Sequence, residues 1–420
     1  MTMPSPLSAQ DGSLLLYCLG VRRPEWEGID RPMLTDSDWA EIFRQAGGNG
    51  VTSLLYHRLR RHRPLVPIPP VALEHLWDAS VRSAAQSLRL GRELAQVLAA
   101  LRHHRVPVVV LKGAHLGQLV YPSAALRTMC DIDILVGRED LTRAAAILSG
   151  LGYALQYYNV EEVDYTQHHH LRPMARPDGV RVEIHWAIAQ PALPFAIDVK
   201  GLWERARPAE IAGAEVLVLS PEDLLLHLCL HASFTHGFRV GLRACWDILE
   251  TVNHYGQAID WDLVVRRSQA WGIGRYVYLT LRLVRDLLGA GIPPTAVAAL
   301  EPPGFPSEVV AWATTCIFMP ESDELVTASL ARLSTSRPIG AKLAVLRHIL
   351  YPPRSVMARI YDVPVHSRWI YLYYPMRWAD LLRRYGRHAW GLWRGDHRTR
   401  GELRAVSERT ALADWLRLAP

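Results

Sequence analysis

The sequence contains no run approaching the ~20 consecutive apolar residues that a membrane-spanning helix needs, and its first residues carry neither the basic segment nor the apolar stretch of a secretory signal. Cysteine is scarce. Cys18, Cys130, Cys229, Cys245 and Cys316 are scattered and odd in number, and no two have zinc-finger or redox-pair spacing. Reduced thiols in the cytoplasm are therefore the expectation. The glycine-rich fingerprints of dinucleotide and P-loop sites, the HExxH of zinc proteases and the GxSxG of hydrolases are all missing, which removes the commonest rival enzyme classes. Repeats and low-complexity segments are absent too.

What remains is an ordinary globular composition with a basic bias. Of 420 residues, 50% are hydrophobic and 21% charged, and the formal net charge is +6. Arginine far outnumbers lysine, a balance that favours anionic partners such as nucleotides, RNA or lipid headgroups without selecting one. The length suits two or three domains. Residues 1–104 read as helical, with apolar residues at helical spacing in 11–20, 37–46 and 51–61 and an N-cap signal in Asp36-Ser37-Asp38. After the proline-rich break at 63–70, Val71–His104 reads as one long amphipathic helix carrying Leu73, Leu76, Trp77, Val81, Leu88, Leu90, Leu94, Leu98 and Leu101. Residues 105–220 mix short strand and helix patterns. From 221 to 420 helices dominate again, starting at an N-capping Ser220.

The stretch that organises the chain is VPVVVLKGAHLGQLVYPSAALRTMCDIDILV, Val106 to Val136. Val106 to Leu111 is a buried strand pattern, interrupted by Lys112-Gly113 and followed by a helical Ala114–Tyr121. Along the second strand Asp131 and Asp133 project to one face, while Ile132 and Ile134 project to the other. Two adjacent carboxylates repel and are costly to desolvate unless a cation neutralises them, and Mg²⁺ is the simplest cation for oxygen donors that also leaves room for phosphates. A third acid, Glu183, lies in the strand pattern VRVEIHW. If that strand is a neighbour, the three carboxylates make a two-metal site for in-line phosphoryl chemistry. His185 shares the face of Glu183. Lys112-Gly113, at a strand end before a helix, suits a triphosphate.

These residues also carry a resemblance. LKG at 111–113, Arg127 shortly before DIDILV at 131–136, EIHW at 183–186 and SPEDLLLHLCLH at 220–231 are similar to the DNA polymerase β-like nucleotidyltransferase superfamily, and more narrowly to a bacterial family of uncharacterised nucleotidyltransferases, over roughly residues 85–290. Superfamily members usually carry Gly-Gly or Gly-Ser and a shorter gap to the first aspartate, where this chain has Lys112-Gly113-Ala114 and a longer helix. The resemblance implies an α+β fold, a mixed-sheet catalytic core at 105–220 flanked by helical regions at 1–104 and 221–420. It also implies transfer of a nucleoside monophosphate from ATP or another NTP to an acceptor, with pyrophosphate released. Asp131, Asp133 and Glu183 would hold two Mg²⁺ ions, and Lys112, Gly113 and Arg127 would meet the triphosphate. The acceptor, whether small molecule, peptide, protein or RNA, is unreadable.

Three other readings compete. Asp223, His227 and His231, at i, i+4 and i+8 of one helix, have the spacing of a zinc hydrolase. The run His168-His169-His170 offers more metal donors. A nucleotidyltransferase-like scaffold without activity would keep the fold and lose the chemistry. In addition, residues 368–394 interleave tryptophan and tyrosine with arginine, which suits either a covering helix or peripheral contact with membrane or RNA.

Overall fold

The computed structural model describes residues 12–21, 34–61, 68–155, 168–177, 179–318, 340, 347, 350–361, 363, 367–381, 383 and 397–417. By packing, the chain divides into two compact units, Met1–Pro306 and Ser307–Leu418. The boundaries read from sequence at 104 and 220 both fall inside the first unit.

In that unit α1 (Ser13–Cys18), α2 (Asp36–Gly48) and α3 (Thr52–Arg61) precede α4, a single helix of 34 residues from Pro70 to His103. α2 begins one residue earlier than the aspartates suggest. Thr35 is the cap, accepting from the Asp38 N–H while the Asp38 carboxylate accepts from the Thr35 N–H, a reciprocal capping box. α4 is amphipathic, but its apolar residues divide. Leu76, Leu90, Leu94, Leu98 and Leu101 are buried, whereas Leu73, Trp77, Val81 and Leu88 are exposed. Its last three turns join the core of the sheet, where Leu90 to Leu101 pack with Val110, Ile132, Ile134, Val182 and Ile184.

The sheet has seven strands: β1 (Val109–Val110), β2 (Asp131–Leu135), β3 (Ala154–Leu155), β4 (Met174–Ala175), β5 (Arg181–His185), β6 (Arg207–Ile211) and β7 (Ala214–Val218), in the order β3-β4-β5-β2-β1-β7-β6. It is mixed. β2 runs parallel to β5 and β1 parallel to β7, while the other pairs are antiparallel. Helices α5 (Lys112–His115) and α6 (Leu141–Gly150) connect the early strands, and α7 (Val199–Glu204) precedes β6. The fold class is α+β. β6 has no counterpart in the sequence reading, and it pairs with β7 through a two-residue turn. Ala212 and Gly213 both have positive φ there (52° and 73°), the geometry a tight hairpin requires.

Beyond the sheet come α8 (Pro221–Leu230), α9 (Leu242–Tyr255), α10 (Trp261–Ala270), α11 (Gly274–Leu288) and α12 (Pro294–Leu300). Ser220 caps α8 by accepting from the Asp223 N–H, and Pro221 fills the first turn, where its missing N–H costs nothing. The second unit contains α13 (Glu308–Phe318) and helices Arg354–Tyr361 and His397–Arg417. Arg368–Leu372 forms a short 3₁₀ helix with Ile370 buried on Met357 and Ala358, and Trp369, Tyr371 and Leu372 are exposed. Residues 384–394 of that aromatic stretch lie outside the described residues. No helix among the described residues is long and apolar enough to cross a membrane.

Candidate active site

Parallel pairing of β2 with β5 sets the register Asp133↔Glu183 and Leu135↔His185. Cross-strand partners share a face, so the alternation that aims Asp131 and Asp133 outward also aims Glu183 and His185 the same way. Ile132, Ile134, Val182 and Ile184 go to the opposite face, into the core. Burial of that apolar face locks the register, because a slip of one residue would turn four apolar side chains to solvent.

The polar groups converge tightly. His185 Nε2 lies 2.9 Å from Asp133 Oδ1 and 3.5 Å from Glu183 Oε2, and Lys112 Nζ donates to the same Asp133 Oδ1 at 3.1 Å. One donor atom each from Asp133, Glu183 and His185 falls within 4.8 Å of the others, and among the described residues this is the one group of three with metal-ligand chemistry. Asp131, at the mouth of β2, is less enclosed than Asp133.

Electrostatics separate the three acids. Burial alone would raise the Asp133 carboxyl, but the Lys112 ammonium and the His185 hydrogen bond hold it well below the usual carboxylate range. The Glu183 carboxyl is lowered, chiefly by its interaction with His185. Asp131 moves the other way, raised first by burial and then by the charges of Asp133 and Glu183. Lys112 and Arg181 pull it down by less. The site thus holds more negative charge than Lys112 offsets, which is the condition a divalent ion relieves.

Lys112 reaches Asp133 from a strained position. It opens α5 with φ of 33°, which non-glycine residues rarely adopt, and the preceding Leu111 N–H donates to the Asp133 carbonyl at 3.0 Å. α5 continues into a π-helical turn, Leu116–Val120, and a second π-turn, His231–Thr235, follows α8. Such turns concentrate at functional sites. Gly113 is required by close approach, since a Cβ there would stand 2.8 Å from Arg127 Nη1 and 3.2 Å from Met129 Sδ.

Arg127 is not free in the cleft. Its Nε and Nη2 grip Asp247 Oδ1 and Oδ2 at 2.9 and 2.8 Å, and Tyr121 donates its hydroxyl to the same carboxylate at 2.8 Å. Both side chains of the pair are over nine-tenths buried. The guanidinium therefore clamps the segment between α5 and β2 onto α9. Sequence reading missed Asp247 and Tyr121 because they lie 120 and 6 residues away, with no pattern linking them.

The zinc spacing on α8 finds its acid already engaged: Asp223 is fully buried between Arg205 Nε at 2.9 Å and Arg267 Nη1 at 2.6 Å. From the histidine run, His169 and His170 pack their rings 5.4 and 5.0 Å from that of His185. Burial keeps His169 uncharged, pushed down to about 3, and His227 and His231 are likewise held well below the ordinary value; His236, ringed against His231 at 4.5 Å, is pushed to about 4. These four imidazoles thus add no positive charge to the Lys112 ammonium already paired with Asp133.

Among solved structures, this chain is similar to the antibiotic-resistance factor ANT(2'')-Ia, with 19% identity, 44% of this chain and 91% of that one covered, and a TM-score of 0.32. It is also similar to an antigenic nucleotidyltransferase-like protein from Paracoccidioides brasiliensis, with 16% identity, 50% and 95% covered, and a TM-score of 0.31. No curated protein matches. A family model described as uncharacterised nucleotidyltransferase matches residues 35–289, which take in the sheet, all three acids and the helices to α11, and the chain belongs to that family.

Proposed function

We propose that the protein is a metal-dependent enzyme that moves a nucleoside monophosphate from a nucleoside triphosphate to an acceptor. The observation that carries this reading is the register-locked convergence of Asp133, Glu183 and Lys112, with Asp131 on the same strand face, in a chain of nucleotidyltransferase family. The donor set fits divalent cations: carboxylate oxygens dominate, the local charge is negative, and the ammonium of Lys112 already stands where positive charge is wanted. Asp131 and Asp133 would share two ions, expected from the sequence as Mg²⁺, and Glu183 would hold one of them. When bound, such ions polarise the α-phosphate and offset the charge that builds on the leaving group.

The chain's own residues do the rest. An acceptor oxygen forms a bond to the α-phosphorus, the bond from that phosphorus to the bridging oxygen breaks, and pyrophosphate leaves with the electron pair. Lys112, a hydrogen bond away from Asp133, neutralises triphosphate oxygens as they enter. Arg127, fixed on Asp247, supports this by holding Gly113 and the Lys112 turn in place, so its part is positioning rather than direct phosphate contact. β2 and β5 are core strands, which hold the acids rigidly.

The direct test incubates the purified chain with α-³²P-labelled triphosphates, Mg²⁺ or Mn²⁺ and fractionated cell extract, and follows labelled product and pyrophosphate. Transfer that disappears in Asp133→Asn supports the reading. Nucleotide binding without turnover in any fraction would hand the protein to the inactive-scaffold alternative.

A further inference from the structure

The first half of α4 carries apolar side chains that its own chain leaves open to solvent. Leu73, Trp77, Val81 and Leu88 are exposed, Trp77 by 50% and Leu88 by 68%, and Ala84 among them is half-buried. Their spacing of 4, 4, 3 and 4 residues keeps all five on one face of the helix, in a stripe about 22 Å long. Single exposed apolar residues are ordinary, but a contiguous stripe rimmed by polar groups marks a surface that meets another. The Tyr56 ring flanks it, 5.7 Å from that of Trp77.

The two margins of the stripe differ. On one side Ser83 and Ser87 are buried, and their hydroxyls donate to the carbonyls of Ala125 and Ala124 at 3.0 Å. On the other stand exposed charges in two blocks, Glu74 and Asp78 toward the N-terminus of the helix and Arg82, Arg89 and Arg92 toward its C-terminus. Acid leads and base follows, so this flank is complementary to itself when reversed.

We propose that the stripe is a homodimer interface, in which α4 packs antiparallel against α4 of a second copy of this chain. A two-fold axis normal to both helices lays each charged flank along its own copy, reversed, so Glu74 and Asp78 of one protomer meet Arg92 and Arg89 of its partner. With that axis level with the Arg82–Ser83 peptide, Trp77 faces Leu88 and Val81 faces Ala84, and the apolar residues cover one another. A parallel pair would instead set the charged flank against the margin of Ser83 and Ser87, which its own chain already covers. An anionic membrane surface calls for basic residues along the whole flank, and the acidic half argues against it. The contact lies on the helix that anchors, through Ser83 and Ser87, the segment leading into Arg127.

Sedimentation equilibrium of the full chain tests the proposal. Wild type is expected to associate to the mass of two chains, and Trp77→Glu or Leu88→Glu to remain single with an unchanged circular dichroism spectrum. Charge reversal reads the arrangement. Glu74→Arg with Asp78→Arg makes the flank wholly basic, and Arg89→Glu with Arg92→Glu makes it mainly acidic. Each double variant should self-associate at least roughly tenfold more weakly, and an equimolar mixture of the two should restore a heterodimer. Should either glutamate variant fail to fold, the two charge-reversed chains carry the same test at exposed positions. A wild type that stays single at every concentration overturns the proposal, whether the stripe is then open or covered by another molecule. A dimer that survives both Trp77→Glu and the charge reversals places the interface elsewhere and overturns it too, and weakened variants that the mixture does not rescue refute the antiparallel pairing.

Discussion

Asp131 and Asp133 sit two residues apart on one strand face, yet replacing each with asparagine should change stability in opposite directions in metal-free protein. Asp133 forms a buried pair with Lys112, the two side chains being 6% and 12% exposed, and it accepts from His185. Removing one partner of such a pair strands the other charge and costs about 3–5 kcal/mol. Asparagine keeps a carbonyl for His185, so about 3 kcal/mol is the expected loss for Asp133→Asn. Asp131 has the opposite balance. Burial and the neighbouring acids raise its pKa, so at neutral pH its charge works against folding, and Asp131→Asn should stabilise. The pH dependence follows from the same signs. Asp133, depressed when folded, contributes stability above the unfolded carboxylate value of roughly 3.9 and loses it as pH falls toward the folded value. Asp131, raised when folded, destabilises above its folded value, and that effect fades as pH falls below it and is gone under the unfolded value of roughly 3.9. Urea unfolding in EDTA, followed by tryptophan fluorescence from pH 3.5 to 8, reads both. Equal signs for the two variants at pH 7, or a loss under about 0.5 kcal/mol for Asp133→Asn, would show that Lys112 and His185 do not hold Asp133 as the structure has it.

Other consequences are equally direct. Arg127→Met should destabilise by about 3–5 kcal/mol, with Asp247→Leu similar and the double variant recovering much of the loss; additive losses in denaturant titrations would mean the pair is not a unit. Lys112→Met should weaken Mg²⁺–ATP by roughly ten- to a hundredfold in calorimetry, the value of one charge-assisted contact, and unchanged affinity would take the phosphate role from this residue. Gly113→Ala drives a methyl against Arg127 Nη1 and Met129 Sδ, so about 1–3 kcal/mol of stability should be lost, and a melt matching wild type would show that the segment gives way without cost.

The parts of the fold legible in the sequence share one property: their signal is local and periodic. The alternation Asp131-Ile132-Asp133-Ile134 reveals its face whatever the strand pairs with, and the EIHW pattern places Glu183 and His185 together by the same rule. The long helix was readable from spacing alone, but which of its apolar residues are covered was not. Trp77, Val81 and Leu88 have the same period as Leu90 and Leu94, and only the sheet beneath the latter decides burial. β6 was hidden because Pro208 and Glu210 interrupt its apolar pattern and Ala212 occupies a turn position that normally signals itself with glycine or asparagine.

Arg127 shows where such reading stops. An arginine beside a phosphate-binding loop and a carboxylate is, in one dimension, indistinguishable from a triphosphate ligand. Its partner Asp247 lies mid-helix 120 residues later, in a stretch whose spacing speaks only of amphipathic packing. Pairing across that distance is a tertiary fact, and it decides the energetics. A guanidinium bound bidentately to a buried carboxylate, and sharing it with the Tyr121 hydroxyl, would break charge-assisted bonds each worth about 1.5–3 kcal/mol if it swung away from Asp247 toward a phosphate. Lys112 faces a smaller barrier. It makes one hydrogen bond, to a carboxylate that an incoming cation would satisfy instead, so the same event that fills the acid cluster frees the ammonium. Of the two cations the sequence nominates beside the acids, Arg127 is bound into the frame through Asp247, and Lys112 is the one we propose for a triphosphate.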